Sequence, residues 1–183
     1  YKCPIHQKNL EWKNEENLFF RLSKYQKDIE KIISEPSFIE PIERKNEIIN
    51  FVSRGLKDFS ISRTNVSWGI PVPGYENHTF YVWFDALLGY VSAISSDAKD
   101  HSLDKSINGG WPADIHLIGK DILRFHAVYW PAMLISADMK VPKKVLGHGF
   151  LTREGKKMGK SLGNVLDPDL LLSKYGNDPV RWY

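Results

Sequence analysis

The sequence is 183 residues long, 42% hydrophobic and 26% charged, with a formal net charge of +3. That length can bury a core, as one domain with an appendage, and the charge is too small to argue a general nucleic-acid surface. One cysteine excludes an internal disulfide framework and suits a reducing compartment, while no apolar run is long enough to span a membrane and no signal-peptide pattern opens the chain. A cytoplasmic location is expected, with an organelle left open. The first residue is Tyr, so a longer protein is expected around this sequence.

The charge is uneven. Residues 140–160 hold seven Lys or Arg against one acid, whereas residues 61–139 hold five against eight. Positive potential therefore gathers in one late stretch, where an anionic ligand would be drawn.

In chain order, Cys3 and His6 form a Cys-x-x-His pair, half of a zinc site. With no other cysteine, a surface turn with a free thiol is the reading this chain favours. Ser23 and Gln26 form a capping box that predicts a helix with Tyr25, Ile29, Ile32 and Ile33 on one stripe, stopped by Pro36. A second helix is predicted from Pro41 to Gly55, with Ile48, Ile49 and Val52 apolar. These read as packing.

Phe59 to Arg63 alternates like a strand, and Trp68 to Pro73 is a link whose two prolines bar it from a central strand. Thr79 to Phe84 is strongly β-forming, and Asp85 is placed to cap a helix from Ala86 to about Ser95. Asp97 to Gly110 reads as a polar surface loop. Asp114 to Ile118 reads as a short buried strand, Gly119-Lys120 as a tight turn, and Asp121 as the cap of a helix to about Ser136. Another strand lies within Val141 to Leu151. Asp167-Pro168 opens a helix that ends at Gly176, and Asp178-Pro179 repeats the signal. Alternating strands and helices predict an α/β fold with a parallel sheet, whose ligands bind beyond the carboxyl ends of the strands.

Three constellations follow those ends. Trp83, Ala86, Leu87 and Tyr90 share one helical face, as do Ile122, His126 and Trp130. Both stripes also fit ordinary core packing. His126, however, sits among apolar neighbours where a neutral imidazole needs a partner, and Pro131 should kink the helix near Trp130. Aromatics, one polar handle and a bent helix describe a pocket for a small, partly apolar ligand. Asp85 and Asp121 could bind an ammonium or ribose hydroxyls, or serve only as caps. The third constellation runs from Gly155 to Asn164, with three glycines, three lysines and a serine. Gly155 and Gly159 are too close for a phosphate-binding Walker loop. A basic surface turn remains the plain alternative.

Lys157-Met158-Gly159-Lys160-Ser161 resembles the Lys-Met-Ser-Lys-Ser signature of class I aminoacyl-tRNA synthetases. Together with Val82 to Tyr90, Gly119 to Met133 and His148 to Phe150, it resembles the methionyl-tRNA synthetase family. Asn17 to Gln26, Ser62-Arg63 and Trp68 to Pro73 extend the likeness over nearly the whole chain. The resemblance implies the Rossmann-type catalytic domain of that class, in its C-terminal half, with part of a connective insertion. The division it implies is a partial connective segment at 1–58, catalytic fold at 59–165, and the start of a helical stem-contact region at 166–183.

It further implies activation of L-methionine by ATP, taken with Mg2+, to methionyl-adenylate, then transfer to tRNA(Met). Trp83, Ala86, Leu87, Tyr90, Ile122, His126 and Trp130 would line the methionine pocket. Gly119, Asp121, His148, Gly149 and Ser161 would lie at the nucleotide, with Lys157 and Lys160 at the phosphates. Cys3 and His6 would be half of a zinc knuckle completed elsewhere. The family's His-Ile-Gly-His signature, N-terminal half-sheet and first Cys-x-x-Cys do not occur in these residues, so the isolated chain is expected not to activate methionine. Gly159 stands where the family usually has Ser, which removes a hydroxyl but keeps a backbone N–H. A class I synthetase for another apolar amino acid, or a non-catalytic nucleotide- or tRNA-binding domain, are the competing readings.

Overall fold

The computed structural model describes residues 2–3, 7–12, 14–64, 66, 68–94, 109–159 and 162–183. The expected loop from Asp97 to Gly110 lies largely outside them. From the N-terminus, β1 (Phe19–Phe20) leads through a tight turn at Leu22–Tyr25 into α1 (Gln26–Ser34), β2 (Ile39–Glu40) and α2 (Ile42–Val52). Four short strands follow, β3 (Phe59–Ser60), β4 (Ser62–Arg63), β5 (Pro71–Val72) and β6 (Tyr75–Phe80), and then α3 (Val82–Ser92). After β7 (His116–Gly119), a 3-10 turn at Lys120–Ile122 and a π-helical turn at Phe125–Tyr129 run into α4 (Trp130–Ser136). The chain closes with β8 (Val145–His148), the pair β9 (Thr152–Arg153) and β10 (Lys156–Lys157), and helices α5 (Pro168–Tyr175) and α6 (Asn177–Trp182).

A parallel sheet is present, in the order β2-β8-β7. Its membership differs from expectation. The β-forming run at Thr79 to Phe84 does not join it: β6 sits between β4 and β5 in a separate antiparallel sheet, with Pro71 on an edge strand as its missing N–H requires. The third parallel strand is instead Ile39–Glu40, two residues wedged between Pro36 and Pro41, too short to leave any periodicity.

The helix 120–136 is the central element, because two cores meet on it. Leu123, Ala127, Val128 and Ala132 face a core built from α1, α2, Ile39, Ile118 and Val145. Trp130, Met133 and Leu134 face a second, with Leu87 and Val91 of α3, Trp111 and Met139. The boundary expected at residue 58 therefore falls inside a continuous core: α1, β2 and α2 pack on the same sheet and helix as the elements that follow. Lys45, buried in α2, donates to the carbonyls of Ser34 and Glu35 at 3.1 and 2.7 Å, satisfying the otherwise open end of α1.

Four expected caps are corrected. The Ser23/Gln26 box does not form, since tertiary partners take both side chains. Ser23 Oγ donates to Asp58 at 2.7 Å, and Gln26 bonds the Val52 carbonyl at 3.0 Å and the Leu56 N–H at 2.7 Å. Asp85 lies in the first turn of α3, which starts three residues earlier after Tyr81, where Phe84 can stack on Phe80. Asp121 likewise lies inside its turn, with Gly119 at the cap position. The first signal near the C-terminus holds: Asp167 accepts from the Asp169 N–H at 2.9 Å, and Gly176 ends α5 at φ 79°. Its repeat does not cap: α6 starts at Asn177 with Gly176 at the cap position, and Asp178 lies in the first turn.

Candidate active site

The carboxyl ends of β7 and β8 lie side by side, with Gly119 paired to His148. The chain leaves β7 through a crowded turn: a Cβ at Gly119 would stand 2.7 Å from the Asp121 Oδ1 atom, so only glycine leaves that carboxylate in place. This turn delivers Asp121 to the strand ends and Ile122 to the helix behind them. His148 Nδ1 donates to the Gly149 carbonyl at 2.7 Å, which fixes the chain as it leaves β8.

Behind the strand ends, α3 and the helix 120–136 build an aromatic wall around one polar chain. His126 is 1% exposed. Its Nδ1 lies 3.0 Å from the Ile122 carbonyl and its Nε2 lies 2.8 Å from the Tyr90 hydroxyl. A carbonyl only accepts, so Nδ1 carries the proton; burial holds the imidazole pKa down, and Nε2 then accepts from the Tyr90 hydroxyl. Burial pushes the Tyr90 phenol up from its ordinary value, so it stays a donor. The lone histidine thus has both partners that its apolar setting demands.

The widened turn has an identifiable cause. Pro131 lacks an N–H and its ring would strike the Ala127 carbonyl of a regular α-turn. The Trp130 N–H instead donates to the Phe125 carbonyl, five residues back. The expected kink near Trp130 is this π-turn, and it aims His126 at α3.

The structure separates the seven residues expected to line a methionine pocket. Tyr90, His126 and the Ile122 carbonyl form one hydrogen-bonded chain, with the Trp130 ring 6.4 Å from that of Tyr90. Trp83, half-buried, stacks on Phe125 at 4.2 Å and 16°. Leu87 and Trp130 are packed within the second core, 2% and 1% exposed, and Ala86 lies on the open face of α3. For Leu87 and Trp130 the core-stripe reading describes their surroundings, although the Trp130 Nε1 atom is buried without a partner among the described residues.

Residues with no sequence signal complete the wall. His116, 5% exposed, places its ring 4.4 Å from Tyr90 and 5.6 Å from His126. Burial first, and the His126 imidazole second, bring its pKa down to about 4. Only strand alternation could have turned it inward. A groove of about 660 Å3 opens nearby between Arg63, Trp68, Ile70, Phe80 and Asp85, with the Arg63 guanidinium 4.1 Å above the Tyr81 ring.

The basic loop is a hairpin. β9 and β10 pair across Glu154 and Gly155, at φ 52° and 75°, the two left-handed positions of a type I′ turn. A two-residue turn between Thr152-Arg153 and Lys156-Lys157 was the available signal. Beyond it, the Met158 N–H donates to the Leu151 carbonyl at 3.0 Å. Asn164 then fastens the other edge: its Oδ1 accepts from the Gly159 N–H at 2.9 Å and its Nδ2 donates to the Lys157 carbonyl at 3.1 Å. The backbone N–H kept by Gly159 is thus in use. Lys157 Nζ lies 3.5 Å from the centroid of Phe150, just past β8. Lys160, Ser161 and His6 lie outside the described residues.

Cys3 is half-buried in a turn where its N–H donates to the Lys8 carbonyl at 2.9 Å. Among the described residues no group of three His, Cys, Asp or Glu could hold a metal ion. No described helix is long and apolar enough to cross a membrane.

A family model for class I tRNA synthetases (M) matches residues 1–183. The chain belongs to that family. A methionine–tRNA ligase of Nostoc sp. is 58% identical over 100% of the chain and 35% of its own length. The chloroplastic/mitochondrial methionine–tRNA ligase of Arabidopsis thaliana is 57% identical over 99% of the chain and 30% of its length. A structure of Mycobacterium tuberculosis methionyl-tRNA synthetase in complex with methionyl-adenylate superposes with a TM-score of 0.83 at 46% identity, over 97% of this chain and 34% of that one. The chain spans about a third of the length of these relatives.

Proposed function

We propose that this family member is the C-terminal half of the catalytic domain of a methionine–tRNA ligase, which forms methionyl-adenylate from L-methionine and ATP and passes the methionyl group to tRNA(Met). The observation that carries the reading is the Ile122–His126–Tyr90 hydrogen-bonded chain inside an aromatic wall, continuous with two parallel strand ends facing a lysine-bearing hairpin. A thioether is polarizable and unbranched, and it suits contact with the faces of these aromatic rings. The Tyr90 hydroxyl proton is held by His126, so the pair fixes the shape of the wall rather than donating to the side chain.

In this reading Tyr90, His126, Ile122, Trp83 and Trp130 set the methionine side, with Ala86 and Leu87 behind them. Gly119, Asp121, His148 and Gly149 hold the nucleoside. Lys157, Lys160 and Ser161 meet the phosphates, with Mg2+ arriving as part of the nucleotide substrate. A methionine carboxylate oxygen attacks the α-phosphorus, the bond to the bridging oxygen of the β-phosphate breaks, and pyrophosphate leaves with the electron pair. No proton transfer and no side-chain nucleophile is required, so the protein acts by positioning and by stabilising phosphate charge. Residues 166–183 would begin the approach to a tRNA-contacting helical region.

The test is amino-acid-dependent exchange of pyrophosphate into ATP by the full-length protein that carries this chain. Exchange driven by methionine and not by leucine or isoleucine is expected. Exchange driven by a branched amino acid would assign the fold to another synthetase, and none with any amino acid would leave a nucleotide- or tRNA-binding role.

A further inference from the structure

We infer that Lys120 is a second polyphosphate-contacting lysine of this site, paired with Lys157 through the ring of Phe150. Lys120 is the first residue after β7, beside the paired ends Gly119 and His148, where ligands of parallel sheets bind. Its Nζ lies 4.8 Å from the Phe150 centroid, and Lys157 Nζ lies 3.5 Å from the same centroid. Two ammonium groups from distant parts of the chain thus rest on one aromatic ring. Among the described residues neither has a carboxylate partner within 4 Å.

That arrangement suits an absent anion. Like charges brought together repel, and a half-buried phenyl ring attracts each of them less than a phosphate would. A polyphosphate offers both a stronger partner and a bridge between them. Lys120 follows the last residue of β7 directly, so its backbone is placed by the sheet. Lys157 comes from the hairpin. Phe150 therefore acts as a resting place from which both cations move onto the β- and γ-phosphates, and Lys120 stabilises the charge that grows on departing pyrophosphate.

The kinetic part of this inference rests on the proposed methionine activation; the binding part does not. The experiment uses the full-length protein with Lys120→Met and Lys120→Arg, inorganic tripolyphosphate as the binding probe, and methionine-dependent pyrophosphate exchange. Lys120→Met is expected to weaken tripolyphosphate binding at least tenfold and to slow exchange by about 10²–10³-fold, as for loss of one charge-stabilising donor. The methionine KM should stay within twofold, and Lys120→Arg should recover most of the rate. A structural role alone would move methionine and ATP parameters together and would not be rescued by Arg. If exchange is absent in the wild type but Lys120→Met still loses tripolyphosphate, the phosphate site stands and the methionine reading fails. If Lys120→Met binds tripolyphosphate like the wild type, the inference is overturned, whatever the exchange rate.

Discussion

Asn164 is the residue whose removal most directly tests how the basic hairpin is held. Its one amide makes two hydrogen bonds, from the Gly159 N–H and to the Lys157 carbonyl, bracketing the three residues Lys157, Met158 and Gly159. The side chain is half-buried, so water competes for these groups, and each bond contributes about 0.5–1.5 kcal/mol net. Asn164→Ala should therefore lower the local stability of the loop by roughly 2 kcal/mol, a thirtyfold rise in its open population. Neither hydrophobic core includes a described residue of 157–164, so global unfolding by urea should change little. The assay is hydrogen–deuterium exchange of the peptide spanning 156–164, supported by trypsin cleavage after Lys156 and Lys157. Asn164→Asp keeps the acceptor for Gly159 and loses the donor to Lys157, and should fall between the two. Unchanged exchange in Asn164→Ala would refute the clamp. So would a loss of global stability matching the local one, because the residue would then belong to the core.

Three further outcomes follow from the buried site. Tyr90→Phe leaves the His126 Nε2 atom without its donor, at a cost of about 1–3 kcal/mol, and should raise the methionine KM of the full-length protein while leaving that of ATP nearly unchanged; equal shifts in both would show a packing effect. Trp130→Ala empties a fully buried site and should cost about 3–5 kcal/mol in urea melts, so an unchanged methionine KM in the surviving fold would assign Trp130 to the core alone. His116 has a folded pKa of about 4 against 6.5, so the unfolded chain binds the extra proton between those values. Stability is then unaffected by this group above about pH 6.5 and falls by about 3 kcal/mol as the pH drops to about 4. A His116→Leu variant should lack that share of the acid loss, and parallel pH–stability curves would remove His116 from the account.

Legibility in the sequence followed the range over which each feature is encoded. Asp167, Pro168 and Gly176 read correctly because a cap, a first-turn proline and a left-handed terminus act within one turn of chain. Ser23 and Gln26 carry an equally good local signal, yet Asp58, Val52 and Leu56 outbid the helix end for both side chains. Ile39–Glu40 could not be read as a strand at all: two residues have no period, and their pairing with β8 is set by contacts more than 100 positions away. The same holds within the site. His126 was visible as a polar residue on an apolar stripe. His116, Phe125 and Asn164 were not, because each matters only through a partner supplied by another element.

The helix 120–136 joins these levels in one segment. An unbroken α-helix from Lys120 would have presented Trp130, Met133 and Leu134 to α3 without the extra residue that the π-turn inserts. Pro131 makes that turn favourable by removing the N–H that a regular helix would use, and the Trp130 N–H reaches back to Phe125 instead. Downstream, the large side chains fill the second core. Upstream, the Ile122 carbonyl fixes the His126 tautomer, and three residues before it Gly119 still pairs with His148 at the strand ends. A change in how α3 packs on Trp130 therefore reaches the Tyr90–His126 bond and the turn at Gly119 through one continuous piece of backbone. In the proposed reaction, the residues that recognise the amino acid and the residues that face the nucleotide are kept in register by that continuity.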